Sequence, residues 1–311
     1  MIAVASSALF DLAEADAVFR ERGEAEYRKF QREHENDFLA PGVAFPFVKR
    51  LLQLNQYLPE HAPVEVILLS RNDPDTGLRV FKSIEHYQLA ISRAAFVSGR
   101  NPFRYVEPFN ASLFLSGNRD DVRAAIEAGL PAGLVFHTEF ADDLDEELRI
   151  AFDFDGVLAD DSAERVFQSG KLPAFHTSES EKRSEAIGEG PLKRFFSEIA
   201  RLQQLELDKH AADSSYQPRI RTAIITARNA PAHERVITTL RHWGIQVDEA
   251  FFLGGIDKSR VLRQFKPHLF FDDQVAHLEA AAEFVPSVHI PFGIRNQPEL
   301  ESASPREDER H

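Results

Sequence analysis

Short, continuous apolar runs separated by stretches with helical apolar spacing recur along the whole chain. VEVILLS (64–70), SLFLSG (112–117), GLVFH (133–137), RIAFDFD (149–155), RTAIITA (221–227) and HLFFDD (268–273) read as buried strands. Between them GLRVFKSIEHYQL, DDVRAAIEAGL, HERVITTLRHWGI, SRVLRQF and VAHLEAAAEF place apolar residues three and four apart, the spacing of helices with one buried face. Strands alternating with helices predict an α/β fold whose parallel sheet is covered on both faces.

The pattern repeats. VILLSRNDPDTGLRVFKSIEHYQLAISRAAFVSG (66–99) runs beside TAIITARNAPAHERVITTLRHWGIQVDEAFFLGG (222–255), with Arg71-Asn72 against Arg228-Asn229, His86 against His242 and Phe96 against Phe252. LFLSG (113–117) meets LFFDD (269–273), and FDLAEADAVF from Phe10 resembles FDFDGVLADDSAERVF from Phe152. An internal duplication is expected, with one half at 1–140 and the other at 141–296, joined through the acidic stretch TEFADDLDEEL (138–148). This alignment sets Asp11 against Asp153, Ala13 against Asp155, Pro102 against Lys258, and Ser116-Gly117 against Asp272-Asp273. The N-terminal half is therefore expected to be catalytically degenerate. Residues 297–311, QPELESASPREDERH, are polar and charged and are expected to form a disordered tail.

Composition narrows the function. With 43% hydrophobic residues and 26 Phe the chain can bury a large core, and its net charge of −14 argues against a nucleic-acid binder. The absence of cysteine removes disulfides, thiolate metal sites and cysteine nucleophiles. The N-terminus lacks a basic region and soon turns acidic, and no apolar run approaches the roughly 20 residues of a membrane span. A cytoplasmic protein without a membrane partner is expected.

Four segments of the C-terminal half form an ordered series: DFDGV (153–157), IITAR (224–228), GGIDKSR (254–260) and FFDDQ (270–274). Each lies near a strand end or helix start, and ligands of open parallel sheets bind at the carboxyl ends of the strands. Asp153 and Asp155 pose a problem, because carboxylates packed together repel and need a cation or a proton to make the pairing tolerable. DxDG alone is ordinary turn chemistry. A calcium loop would want oxygen ligands at positions 157 and 159, where Val157 and Ala159 stand.

The series resembles the haloacid dehalogenase-type phosphohydrolases, whose signature runs Asp-x-Asp-Gly-Val/Thr, Ser/Thr, Lys, acidic pair. A narrower likeness lies in EHENDFLAPGVAFPFVKRLL, LLSRNDPDTGLRVFKSIEHY and FNASLFLSGNRDDVRAAIEAG, which resemble the AMP-preferring cytosolic 5'-nucleotidase I family. The resemblance implies a Rossmann-like parallel sheet with a small helical cap at about 160–220. It implies a Mg²⁺-dependent 5'-nucleotidase in which Asp153 attacks phosphorus and Asp155 carries the proton. Thr226 and Lys258 then hold the phosphate, and Asp153, Asp155 (through its backbone carbonyl), Asp272 and Asp273 surround the metal. Nucleoside monophosphate, AMP favoured, is the implied substrate, and ADP an implied effector. Arg71, Asn72, Phe109 and Asn110, with Phe175 in the cap, are candidates for contacts to a nucleoside or effector. A phosphatase for another small phosphomonoester, such as a sugar phosphate, and a non-catalytic nucleotide sensor stand as the alternatives. A homo-oligomer is compatible with each.

Overall fold

The computed structural model describes residues 1–138, 142–143 and 145–297. The expected boundary at 140/141 and the expected tail, apart from Gln297, lie outside the described residues.

One mixed sheet of ten strands forms the centre. The strands are β1 (Ile2–Val4), β2 (Val66–Ser70), β3 (Arg93–Phe96), β4 (Phe114–Ser116) and β5 (Ala132–Val135), followed by β6 (Leu148–Phe152), β7 (Ile220–Thr226), β8 (Glu249–Phe252), β9 (Leu269–Asp272) and β10 (Ser287–His289). Their order is β3-β2-β1-β4-β5-β10-β9-β6-β7-β8. Each half thus orders its five strands in the same way, reading inward from its own edge. All neighbours are parallel except β5 and β10, which meet antiparallel with Val135 opposite Val288 and Leu134 opposite His289. Gly133 permits this joint, since a Cβ there would lie 2.4 Å from Val288 Cγ1. The reversal has a geometric result: the carboxyl ends of β1–β5 and those of β6–β10 open on opposite edges of the sheet.

The six expected strands are all present. The four others, β1, β3, β8 and β10, are only three or four residues long, and β3 and β8 are half-exposed edge strands. Strand register corrects the alignment of the two halves. Ala3 and Val4 pair with Phe114 and Leu115, as Ala151 and Phe152 pair with Phe270 and Phe271. Ala5, not Asp11, therefore stands where Asp153 does, and Ser7, not Ala13, where Asp155 does. Asp11 corresponds instead to Asp160: the first accepts from Ala13 N at 2.9 Å, the second from Ser162 N at 3.0 Å.

Helices α1 (Ser6–Leu9), α2 (Ala13–Glu33) and α3 (Phe45–Tyr57) follow β1, while α6 (Ser162–Glu181) and α7 (Lys193–Ala212) follow β6. Both α2 and α6 are kinked, at Gly23 and Lys171 respectively. The shorter helices α4 (Leu78–His86), α5 (Arg119–Glu127), α8 (His233–Trp243), α9 (Ser259–Phe265) and α10 (Val275–Ala282) match the five stretches of helical spacing. α3 and α7 lay Phe47 and Phe195 against each other, 6.4 Å between ring centroids, so one apolar cluster runs through both halves. Phe152 stacks on Phe271 at 5.2 Å and meets Phe196 edge-on at 5.0 Å, anchoring β6 and β9 beneath α7. Such buried aromatic contacts hold strand ends in fixed positions.

Part of the acidic stretch between the halves is pinned rather than free. Buried Arg50 of α3 donates to Asp142 at 2.7 and 3.0 Å, and Arg149 donates to Asp143 and Asp145. The cluster Asp142, Asp143 and His268 is thereby filled by guanidinium groups.

Candidate active site

β6 is buried along its whole length because Leu148, Ile150 and Phe152 face one side and Ala151 packs on the other. Asp153 is the first residue beyond it, and its amide extends the ladder by donating to Phe271 O at 2.7 Å. Asp272 ends the neighbouring strand β9, so the two carboxylates stand side by side at adjacent strand ends. The strand stops there. Leu158 N and Ala159 N both donate to Phe154 O, folding 154–159 into a tight turn. Gly156 sits in this turn at φ +74°, and a Cβ on it would lie 2.7 Å from Asp273 Oδ2. Only glycine meets both demands. The turn carries Asp155 away from the acidic cluster and toward β7, which resolves the proximity of the two aspartates.

Lys258, just before α9, is buried with its Nζ 2.9 Å from Asp153 Oδ1 and 2.7 Å from Asp272 Oδ2. His277 Nδ1 lies 3.1 Å from Asp272 Oδ2. Burial pushes Asp153 up to about 6 despite Lys258. Burial with the neighbouring Asp153 and Asp272 charges pushes Asp273 up to about 9. Asp272 also feels burial, but Lys258 and His277 hold it below the usual carboxylate range. Burial opposes the charge on Lys258, and Asp153 and Asp272 more than reverse that, holding it above its ordinary range.

Two of the three buried carboxylates thus share Lys258, and among the described residues Asp273 Oδ1 has no hydrogen-bond partner. One oxygen each from Asp153, Asp272 and Asp273 lies within 4.8 Å of the others. An excess of converging, hard oxygen donors with an orphaned buried atom fits a divalent cation.

Thr226 ends β7, buried, and its Oγ1 accepts from Arg228 N at 3.2 Å. Arg228 itself forks onto Asp155, Nε to Oδ2 at 2.7 Å and Nη2 to Oδ1 at 2.8 Å. Its remaining edge pairs with Glu179 of α6, which also accepts from Arg235 Nη1 at 2.8 Å. The guanidinium lies 5.6 Å from the Phe154 ring centroid and 5.5 Å from that of Phe175, so Phe175 borders this side of the site. Burial disfavours the Arg228 charge, but Asp155 and Glu179 raise its pKa above the ordinary arginine value. Neither Arg228 nor Glu179 stood out as a site residue in the sequence. The signals for Arg228 were its place in the repeated Arg-Asn pair and at the end of IITAR.

A model of the family described as "5'-nucleotidase" matches residues 1–297. The chain belongs to the 5'-nucleotidase family. A curated relative in this family, human cytosolic 5'-nucleotidase 1B, is 35% identical over 289 residues, 90% of this chain and 47% of the relative. The chain thus spans about half the length of that relative. No solved structure matches. Among the described residues, no helix is long and apolar enough to cross a membrane.

In this 5'-nucleotidase-family chain the sequence candidates separate into three places. Asp153, Lys258, Asp272 and Asp273 converge, with Thr226 and Asp155 beside them. Arg71 and Asn72 lie across the sheet, in a cleft of about 970 Å³ at the carboxyl ends of the N-terminal strands. This cleft lies in the N-terminal half, away from the acidic cluster. Ser7, Tyr27, Gly117, Asn118 and Phe136 contribute to its wall. Arg71 is held by Asp121 at 2.6–3.0 Å, and Asn72 Oδ1 accepts from Tyr27 at 3.1 Å while its Nδ2 is buried without a partner among the described residues. Phe109 and Asn110 do not join them. They precede β4 at the other edge, Phe109 against the N-terminal core and Asn110 accepting from Arg194 Nη2 at 2.6 Å.

Proposed function

We propose that this protein is a cytoplasmic, Mg²⁺-dependent 5'-nucleotidase that hydrolyses nucleoside 5'-monophosphates, AMP favoured, through an aspartyl-phosphate. The convergence of Asp153, Lys258, Asp272 and Asp273 at adjacent strand ends, in a chain of this family, carries the reading.

Asp153, Asp272, Asp273 and the Asp155 carbonyl would hold the Mg²⁺ ion, which when bound screens the phosphate dianion from the carboxylates. Asp153 then attacks phosphorus with the carboxylate oxygen not engaged by Lys258. Lys258 stays against Asp153 and Asp272 and offsets charge that builds on the transferring group. Thr226 Oγ1 donates to a phosphoryl oxygen. Asp155 gives a proton to the leaving 5'-oxygen and takes one from the water that later cleaves the acyl phosphate. Phe175 and α6, with α7, act as the small cap that excludes water.

The two halves, 1–140 and 141–296, descend from a duplication, a reading supported by their common strand order and paired kinks. The N-terminal cleft lacks the acidic cluster, with Ala5, Ser116 and Gly117 at the matching strand ends. It therefore takes a second nucleotide such as ADP as effector, through Arg71 and Asn72.

The test is phosphate release from nucleoside monophosphates and sugar phosphates, with Mg²⁺ or EDTA, with and without ADP. Metal-dependent release favouring AMP is expected, and Asp153→Asn should abolish it with unchanged circular dichroism. Preference for a sugar phosphate would discard the substrate, and full activity in Asp153→Asn would discard the mechanism.

A further inference from the structure

The two halves build one hydrogen-bond scaffold twice. In the N-terminal half, Arg79 donates to Asp37 O at 2.8 Å and to Gln31 Oε1 at 3.3 Å, and Ser83 Oγ bridges Arg79 O and Leu39 N, both at 2.9 Å. In the C-terminal half, Arg235 donates to Glu185 O at 3.0 Å and to Glu179 Oε1 at 2.8 Å, and Thr239 Oγ1 bridges Arg235 O and Ile187 N. The residues match one for one, and the difference of chemistry is at one position: Gln31 where the other half has Glu179. Both are buried, at 3% and 1% exposure.

Gln31 is thus an internal control. It shows that the scaffold needs a side-chain oxygen here but not a charge. Burying a carboxylate is costly unless it is closely paired, so the charge on Glu179 answers to something beyond Arg235. That something is Arg228. In the N-terminal half the corresponding space holds a neutral chain, Gln31 Nε2 to Tyr27 at 3.0 Å and Tyr27 to Asn72 at 3.1 Å, while Arg71 turns away to Asp121. The charged arrangement occurs in the half that has Asp155, and the neutral one in the half that has Ser7 at that place.

We infer that Glu179 is a positioning residue that acts through Arg228 to fix the carboxyl group of Asp155 for proton transfer to the leaving oxygen. The inference rests on the reading of Asp155 as proton carrier given above. Glu179 takes one edge of the guanidinium, the rings of Phe154 and Phe175 flank it, and its other edge grips both Asp155 oxygens. A planar fork held in this way sets both the plane and the direction of the carboxyl group. In the step concerned, the Asp153–phosphorus bond forms as the bond from phosphorus to the leaving oxygen breaks. The Asp155 proton moves to that oxygen, and the carboxylate left behind keeps its place in the fork. Glu179 itself does not touch the substrate.

The experiment measures single-turnover release of the leaving group from AMP and from p-nitrophenyl phosphate, with the Mg²⁺-loaded enzyme in excess. p-Nitrophenolate departs without a proton, so its release reports the site without Asp155. Glu179→Gln should keep the wild-type circular dichroism, because its amide oxygen still meets Arg235 as Gln31 meets Arg79, while its melting temperature falls because buried Arg228 loses a charged partner. It should slow adenosine release about tenfold or more while p-nitrophenol release and the KM for AMP stay within about twofold. In an Arg228→Gln background, adding Glu179→Gln should cost less than about twofold, since its effect passes through Arg228. Equal slowing of both substrates, no slowing of either, or a full Glu179→Gln penalty without Arg228 would overturn the inference. Asp153→Asn, run in parallel, separates the two levels: if it still releases adenosine, the underlying mechanism has failed and the inference with it.

Discussion

Asp273→Asn offers a direct test of the acidic cluster as a metal site kept at the expense of stability. Asp273 is buried, one of its oxygens has no partner among the described residues, and its pKa is pushed to about 9 by burial and by the charges of Asp153 and Asp272. Without metal, the folded protein holds a proton on this group between about 4 and 9, whereas the unfolded chain releases it near 4. A raised carboxyl pKa means that the unfolded state binds fewer protons in that window, so stability falls as pH rises through it. At about 1.4 kcal/mol per pH unit, the loss from pH 4 to 7 is about 4 kcal/mol. An asparagine does not titrate, but burying its amide with imperfect partners costs about 1–3 kcal/mol. In EDTA at pH 7 the variant should therefore be more stable than wild type by about 2 kcal/mol, and the advantage should vanish near pH 5. With saturating Mg²⁺ the order should reverse, because ligand binding stabilises the wild type by mass action. Urea unfolding at pH 5 and 7, with EDTA and with Mg²⁺, reads all of this. A variant no more stable than wild type in EDTA at pH 7, or an advantage that does not shrink on acidification, would refute the reasoning.

His268 is fully buried and its pKa is pushed down to about 4 by burial and by Arg50 and Arg149, so its folded form is neutral. Its contribution is complete above about 6.5 and should be lost as pH falls toward 4, about 3 kcal/mol in all. His268→Asn should flatten that part of the acid limb in Mg²⁺-loaded protein, as read by melting temperature against pH. Gly156→Ala combines a positive φ with a Cβ 2.7 Å from Asp273 Oδ2, and phosphate release should drop at least about tenfold with circular dichroism unchanged. Asn72→Ala removes the orphaned donor of the N-terminal cleft and should abolish any response to ADP without changing AMP turnover in its absence, measured as phosphate release across an ADP titration.

What could be read from the chain follows from how local each signal is. Ile150 to Phe152 and Ala223 to Ile225 are continuous apolar runs followed directly by Asp153 and Thr226, so both the strands and the chemistry at their ends were legible. β3 and β8 were not, because RAAF and EAFF are short and half-exposed and resemble helix ends as much as strands. The shared Phe-Asp pairs at 10 and 152 suggested a counterpart for Asp153 that strand register assigns to Ala5. The short helix α1 occupies the space between, and no local pattern announces an offset of that kind. Glu179 and Arg228 escaped notice for a related reason. A single glutamate on a polar helix looks like a solvated one until the fold brings an arginine from the next strand against it.

The antiparallel meeting of β5 and β10 has a practical consequence for anyone making ligands to this protein. The two crevices open on opposite edges, with a packed sheet between them, so a compound filling one cannot be extended through the core into the other. A tethered two-headed inhibitor would have to travel around the outside of the molecule. Conversely, a probe anchored in the N-terminal crevice would leave the acidic cluster facing away from its support.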